Sequence, residues 1–385
     1  MIGAAATVLF GAGSGVAGAA AGGSGAGSVG APGTPKIRGA ICITQCVGLH
    51  SAIVGSTLQV SGRNMSAAKA ISFRARQPGR RILAPVTAVT VSSAQAVIPK
   101  GVRSGPLRVR DAYGQKSDPG PEKMLIRPKA SMRTKGPASL ADAEVSPNKL
   151  FFGGARSATL NYLIGGGAPA DLRIDVVTSA GQVVQSFLPT GVPPNTTQSL
   201  AWNGVGLDGK PVASGWYSFR ISTPDGQPLA RATASETPNL GVAVYTAIFP
   251  IRGPHSYGGA EGRFGAPRAG HTHQGQDVLA ACGTKLVAAI GGTVQYAGYQ
   301  AAAGNYLVID QRGTGESNVY MHMAAPSPLT TGARVKTGQY IGNVGETGDA
   351  VGCHLHFEAW SAPGWYKGGQ PYDPLPLLQA WDSYS

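Results

Sequence analysis

The sequence predicts an all-β protein of three modules, two β-sandwiches followed by a compact β-sheet domain. Glycine (57 residues) and proline (28) are abundant, yet 42% of the 385 residues are hydrophobic. Apolar runs are therefore short and interrupted by turn formers. Strand-like runs such as Thr57-Leu58-Gln59-Val60-Ser61-Gly62 and Ala94-Gln95-Ala96-Val97-Ile98-Pro99 recur along the first half, at the spacing of a sandwich. Near the C-terminus, Cys353-His354-Leu355-His356-Phe357-Glu358-Ala359-Trp360 alternates polar with apolar, the period of a half-buried strand. Long amphipathic helices alternating with strands are not seen, which excludes a (β/α)8 barrel.

Residues 1–35 read as a secretory signal peptide and a flexible linker. Met1 to about Ala21 is small and apolar, and Ala17 and Ala19 suit a cleavage site. No Lys or Arg precedes the apolar run, so the positively charged start of such a signal is missing. The glycine content and the short apolar run argue against a stable transmembrane anchor. Gly22 to Pro35 is rich in Gly, Ser, Ala and Pro, a flexible composition.

Residues 36–127 form the first sandwich, and charge singles them out. The formal net charge is +13, and residues 36–135 hold 18 Lys and Arg against 3 Asp and Glu. Segments 136–240 (6 against 7) and 241–385 (8 against 9) are nearly neutral. Such a field attracts a polyanion. Few aromatics are available for base stacking, so nucleic acid is not expected. For an exported chain an anionic cell-wall polymer or membrane surface fits better; the plain alternative is a basic face that only keeps the protein soluble. The Gly-rich first hairpin, Val97-Ile98-Pro99 and Leu107-Arg108-Val109 ahead of Gly114 resemble an IPT/TIG-type immunoglobulin-like domain. Cys42 and Cys46 are close enough in sequence for a local disulfide and lack partners for a metal site.

Residues 128–146, rich in Pro, Lys and Ala, read as a linker. The second sandwich spans 147–238. Trp202-Asn203-Gly204 through Asp208-Gly209 to Trp216-Tyr217-Ser218-Phe219 resembles the signature of FlgD-type Ig-like domains, its aromatics reading as core. Neither sandwich shows a chemical constellation, so both are assigned to spacing, targeting or regulation.

Residues 239–385 carry the chemistry. On a strand, His354, His356 and Glu358 share one face, whereas on a helix the two histidines would diverge by about 200°. Upstream, His273 and Asp277 lie four apart around Gly275; this spacing shares a face, and Gly275 and the β-rich sequence after it favour a strand. Two imidazoles and one carboxylate suit zinc, and three protein ligands leave a fourth position for water, the arrangement of a catalytic site. No His-Glu-x-x-His helix is present, so proton transfer falls to another group near the metal, and His354 is placed for it.

From about Val244 the chain resembles the LytM/lysostaphin family of zinc metallopeptidases, which cleave peptidoglycan peptides. The matching residues include Phe249-Pro250, Arg263-Phe264-Gly265, His273-Gln274-Gly275-Gln276-Asp277, Gly304-Asn305, Val319-Tyr320-Met321-His322, Gly345-Glu346-Thr347-Gly348 and His354-Leu355-His356-Phe357-Glu358. The resemblance implies one Zn2+ held by His273, Asp277 and His356, with His322 and His354 as catalytic histidines sharing water activation and oxyanion stabilisation. It implies a secreted or cell-envelope bacterial endopeptidase acting on peptidoglycan stem peptides or cross-bridges. The alternative is a non-catalytic LytM-type activator of another wall hydrolase; retention of all five positions favours catalysis. An amidohydrolase reading of His271-x-His273 fails with the barrel.

The family often has Pro where this chain has Cys353, and in an exported protein a Cys282–Cys353 disulfide is the natural reading. His271 reads as a groove-edge residue, and His255 and His50 as ordinary surface or loop histidines. Glu358 either hydrogen-bonds a ligand or forms a structural ion pair, and Tyr320 and Asn305 either line the groove or pack.

Overall fold

The computed structural model describes residues 33–231 and 240–385. The expected signal peptide, and all but the end of the linker that follows it, lie outside the described residues. Among the described residues no helix is long and apolar enough to cross a membrane. The architecture is almost entirely β, with a single α-helix, Leu375–Asp382, among them.

In the first module a long hairpin, Lys36–Gly48 with Ser51–Arg63, joins a hydrogen-bonded path that continues through Lys123–Ile126, Val102–Asp111 and Ala68–Ala75 to Arg81–Pro85. Alternation along these strands turns Leu58, Val60, Ile71, Phe73, Leu107 and Val109 into one core. Cys42 and Cys46 are bonded to each other and fully buried in that core.

The second module has a five-stranded sheet and a three-stranded sheet around one core, in which Trp202 meets Tyr217 and Phe219 edge-on. Trp216 is the exception to the expected aromatic core. Alternation with Tyr217 turns it outward, and it is 51% exposed.

Two expected boundaries move. Within the segment expected to be a linker (128–146), Ser139–Ser146 is a strand paired along its length with Ala158–Gly165. This pairing, with the Leu140 N–H donating to Ala230 O (2.9 Å), satisfies its backbone, and Ala143 enters the core. Gly241–Tyr245, expected in the third module, instead pairs with Gly215–Ser222 and Lys149–Phe151. Its Val242 and Val244 fill the second core, so the third module's own core begins at Ala247.

The third module is built on a twisted sheet in the order His255–Tyr257, Gln276–Ala280, His354–Trp360, Ser317–Met323, Gly304–Gln311, Gly292–Gln300 and Arg334–Val335. One sheet face, with Val278, Leu355, Phe357, Tyr320, Leu307 and Ile309, packs into the core against Leu378 and Trp381 of the C-terminal helix. The opposite face of the same strands carries a smaller apolar cluster of Tyr306, Val308, Val319 and Trp360 beside the polar side chains His354, His356 and Glu358.

The modules touch. Cys46 N–H donates to Asn195 O (2.9 Å) and Leu49 N–H to Asp142 Oδ2 (2.8 Å), joining the first module to the second. Thr337 donates through its N–H to Gly153 O (3.1 Å) and through its hydroxyl to Phe152 O (2.8 Å), and Tyr245 stacks on Tyr384 at 3.9 Å, joining the second to the third.

Candidate metal centre and its histidines

Register assembles the site. Asp277 on Gln276–Ala280 pairs directly with His356, and on the other side Met321 of Ser317–Met323 pairs with the same histidine. His354 and His356 share a face because two residues separate them on one strand. His273 departs from the expected strand: it sits in the irregular segment between His271–Thr272 and Gln276–Ala280. Gly275 makes this possible, since a Cβ there would lie 2.8 Å from His356 Nε2. The chain must pass against the imidazole to bring His273 over the strand.

Three atoms converge. His273 Nε2 lies 2.8 Å from His356 Nδ1 and 3.1 Å from Asp277 Oδ1, and His356 Nδ1 lies 3.0 Å from the same oxygen. These three residues form a group able to hold a metal ion. The outer nitrogens fix the tautomers. His273 Nδ1 faces Arg263 O at 2.8 Å and His356 Nε2 faces Glu358 Oε1 at 3.1 Å. Each outer nitrogen therefore donates, and while both rings are neutral each inner nitrogen turns a lone pair toward its neighbour and toward a carboxylate. Such an arrangement repels itself unless a cation sits among the three atoms, so the donor set fits a metal. The N2O composition is that of borderline metals such as zinc.

Electrostatics agree. Burial alone would raise the Asp277 carboxyl, but where a proton takes the place of a metal ion, hydrogen bonds from the inner nitrogens of His273 and His356 draw it well below the usual carboxylate range. Burial opposes protonation of His356, yet Asp277 and Glu358 push it up to about 9. A site that raises a histidine in this way is one that seeks positive charge. Glu358, itself buried, also accepts from Trp360 Nε1 at 2.6 Å, which resolves the open reading of this residue as a partner that orients His356.

Two further imidazoles border the three atoms. His354 Nε2 lies 3.6 Å from Asp277 Oδ1, and its Nδ1 donates to Gly352 O at 2.9 Å. His322, in a left-handed backbone conformation (φ 60°), stands 4.6 Å from the His354 ring and 6.0 Å from the His356 ring. Its Nδ1 donates to Thr347 O at 2.8 Å, which leaves Nε2 as the acceptor. Burial, reinforced by the neighbouring His354 and His356, lowers His322 to about 4, so this ring is neutral at neutral pH.

The remaining candidates separate cleanly. His271 is exposed and outside the ligand group. His255 is not an ordinary surface histidine: it stacks on Phe249 at 4.3 Å and meets Asp382 at 3.1 Å. His50 is half-buried between Glu144 and the Ala40 carbonyl. Tyr320 and Asn305 pack. The Tyr320 hydroxyl accepts the Ala289 N–H (2.8 Å), and Asn305 Nδ2 donates to Met323 O (3.2 Å). Cys282 and Cys353 are disulfide-bonded, as expected. Unforeseen were Arg268, 3.7 Å from Asp277 Oδ2, and Thr347, whose hydroxyl accepts from Asn305 N–H and donates to Met323 O. The only sequence signal for Thr347 is its place between glycines in Gly345-Glu346-Thr347-Gly348.

Residues 271–374, which contain all five site residues, match peptidase family M23. The chain is 41% identical over 86 residues to peptidoglycan DD-endopeptidase ShyC of Vibrio cholerae, covering 22% of this chain and 19% of that protein. It is 30% identical over 112 residues to glycyl-glycine endopeptidase ALE-1 of Staphylococcus capitis, covering 29% of this chain and 30% of that one. The chain thus spans only about a fifth to a third of the length of these curated relatives. Among solved structures, the catalytic domain of lysostaphin from Staphylococcus simulans is 28% identical, covering 32% of this chain and 92% of that chain, with a TM-score of 0.29.

Proposed function

Because residues 271–374 form a peptidase family M23 domain, we propose that this chain is a zinc-dependent endopeptidase that hydrolyses peptide bonds of peptidoglycan stem peptides or cross-bridges in the bacterial cell envelope. The observation that supports this reading is the convergence of His273 Nε2, Asp277 Oδ1 and His356 Nδ1, flanked by the imidazole of His322, whose Nε2 is left as an acceptor, and by that of His354, whose Nε2 lies 3.6 Å from Asp277 Oδ1. The names of two relatives, a peptidoglycan DD-endopeptidase and a glycyl-glycine endopeptidase, support the substrate class.

His273, Asp277 and His356 would hold the metal. When bound, it would supply Lewis acidity toward a peptide carbonyl and lower the pKa of a water molecule. The chain's own residues do the rest. Arg263 O and Glu358 hold the two ligand imidazoles in the tautomers that present lone pairs inward. His322, neutral and with Nε2 free, is able to accept a proton from water at neutral pH. His354, oriented by Gly352 O, faces the Asp277 side of the same space, where a proton or a developing oxyanion can be met. The two histidines share these tasks.

The test uses the full chain on purified peptidoglycan. One zinc per chain, release of new amine termini, loss of both on chelation and recovery on adding zinc are expected. A protein that binds one zinc and releases no fragments would sink the hydrolase reading in favour of an activator of another hydrolase.

A further inference from the structure

The charge that sets the first module apart is concentrated on one outer sheet face. In the strands Arg81–Pro85, Ala68–Ala75 and Val102–Asp111, alternation sends Ile71, Phe73, Ala84, Leu107 and Val109 inward. The side chains of Arg74, Arg81, Arg103, Arg108 and Arg110 go outward. Register sets them side by side: Arg74 pairs with Arg81 on one flank and with Arg103 on the other, while Arg108 stands opposite Ser72 and Arg110 opposite Ala70. Neighbouring strands lie about 4.8 Å apart and each two-residue step spans about 6.8 Å. The five arginines are therefore rooted on a patch roughly 10 Å wide and 15 Å long, with a register irregularity between Ser72 and Arg74.

No carboxylate answers them. Among the described residues none of the five forms an ion pair within 4.0 Å. Asp111 is buried and accepts the backbone N–H groups of Tyr113 and Gln115, and Glu122 accepts that of Ala40. Arg81 is rooted on the edge strand, but its guanidinium reaches inward over the neighbouring strand toward Ser72 and Pro106 and is fixed there. Its Nε donates to Ser72 Oγ at 2.6 Å, and one terminal nitrogen donates to Ser72 O and Pro106 O. These acceptors are neutral, so they orient the guanidinium without cancelling its charge. Burial, and then the charges of Arg108 and Arg74, lower its pKa, the mark of like charges held together. Like charges set opposite on adjacent strands destabilise a sheet. A fold that keeps them without acidic partners has a use for the field.

We propose that this face binds a linear phosphate-bearing polymer, with Arg81 as a fixed central cation and Arg74 and Arg108 closing on the phosphates from either side. The planar guanidinium fork suits phosphate, and successive phosphates along a chain suit cations repeated across strands. A bilayer would need an apolar wedge beside the cations, and Leu83 is the one large apolar side chain these three strands expose on this side. Bases would need aromatic platforms; the aromatic on these strands, Phe73, points into the core. This inference stands apart from the metal site and does not depend on its activity.

The test is binding of the full chain to long-chain inorganic polyphosphate across a sodium chloride series starting near about 50 mM. Affinity should fall steeply with salt. The Arg74→Gln/Arg108→Gln pair should lower the log–log salt slope by about two and weaken binding roughly tenfold or more. Its melting temperature should stay level or rise, because like-charge repulsion is relieved; a merely structural role would lower it. Absence of binding at low salt, or equal affinity in the double variant, overturns the proposal. Tighter retention on phosphatidylglycerol vesicles or on single-stranded DNA than on polyphosphate of equal charge overturns it too, assigning the face to a membrane or to nucleic acid.

Discussion

At the scale of single residues, the site depends on which nitrogen of each imidazole faces inward, and that is decided by partners outside the ligand group. Glu358 and the Arg263 carbonyl turn His356 and His273 so that three basic atoms meet; the Thr347 carbonyl does the same for His322 without adding it to the group. His356→Ala should therefore abolish both zinc binding and hydrolysis. His322→Ala should keep the zinc, counted by atomic spectroscopy, while turnover falls by about 10²-fold or more, as for loss of a general base. Zinc loss in His322→Ala would assign that histidine to the metal instead. Gly275→Ala should lower zinc occupancy without replacing a ligand, because the new Cβ would clash with the Phe357 carbonyl and lie 2.8 Å from His356 Nε2. Full occupancy in that variant would show that the loop can give way. The pairing of His354 with His356 was legible in the sequence because a strand has a fixed period of two. The outer partners of His273 and His322 were not, since a backbone carbonyl leaves no trace in residue identity. Nor was the left-handed turn at His322, which follows an apolar run that reads as uninterrupted strand.

At the scale of elements, the third module is held by strand register and by one covalent tie. Alternation in Cys353–Trp360 fixed in advance which side chains face the metal and which face the core, and Leu355 and Phe357 are indeed buried in it. Where alternation was weak, boundaries slipped. Ser139–Ser146 looked like linker because small and charged residues dominate it, and Gly241–Tyr245 is too short to declare which module it completes. The Cys282–Cys353 bond links the segment after Gln276–Ala280 to the residue before His354–Trp360, across a sequence separation of 71. Closing a loop of that length restricts the unfolded chain by about 4 kcal/mol as a ceiling. Replacing both cysteines by serine should lower the melting temperature measured by calorimetry and weaken zinc retention together, because the two tethered segments carry Asp277 and His356. An unchanged melting temperature would mean that the bond contributes little to holding the site.

At the scale of the whole molecule, the joints between modules and the uneven charge make separate predictions. At the first joint His50 lies between Glu144 (3.1 Å) and Glu122 (3.5 Å). The hydrogen bond to Glu144 is the main cause that pushes His50 up to about 9 from its ordinary 6.5, and the same bond lowers Glu144. A raised histidine stabilises the fold fully below its unfolded value and loses that contribution as pH climbs through the folded one. The joint should therefore be firmest from about pH 5 to 6.5 and loosen toward pH 9, and His50→Gln should flatten this part of the pH–melting profile; an equal slope in the variant would place the titrating group elsewhere. The charge asymmetry bears on catalysis at a distance. Residues 241–385 are nearly neutral, whereas residues 36–135 hold 18 Lys and Arg against 3 Asp and Glu. Long-range attraction of exposed charges is screened within about 8 Å at physiological salt, so a basic module can raise the local concentration of enzyme on an anionic wall without altering the bond-breaking step. Raising sodium chloride from about 50 to about 200 mM should slow digestion of intact, polymer-bearing wall material several-fold, while leaving cleavage of a small neutral muropeptide within about a factor of two. Arg74→Gln/Arg108→Gln should act like added salt on the first substrate and leave the second alone. If both substrates slow in parallel, salt is acting on the third module itself, and the proposed division of labour between a charged first module that would hold the wall and a neutral sheet that would cut it fails.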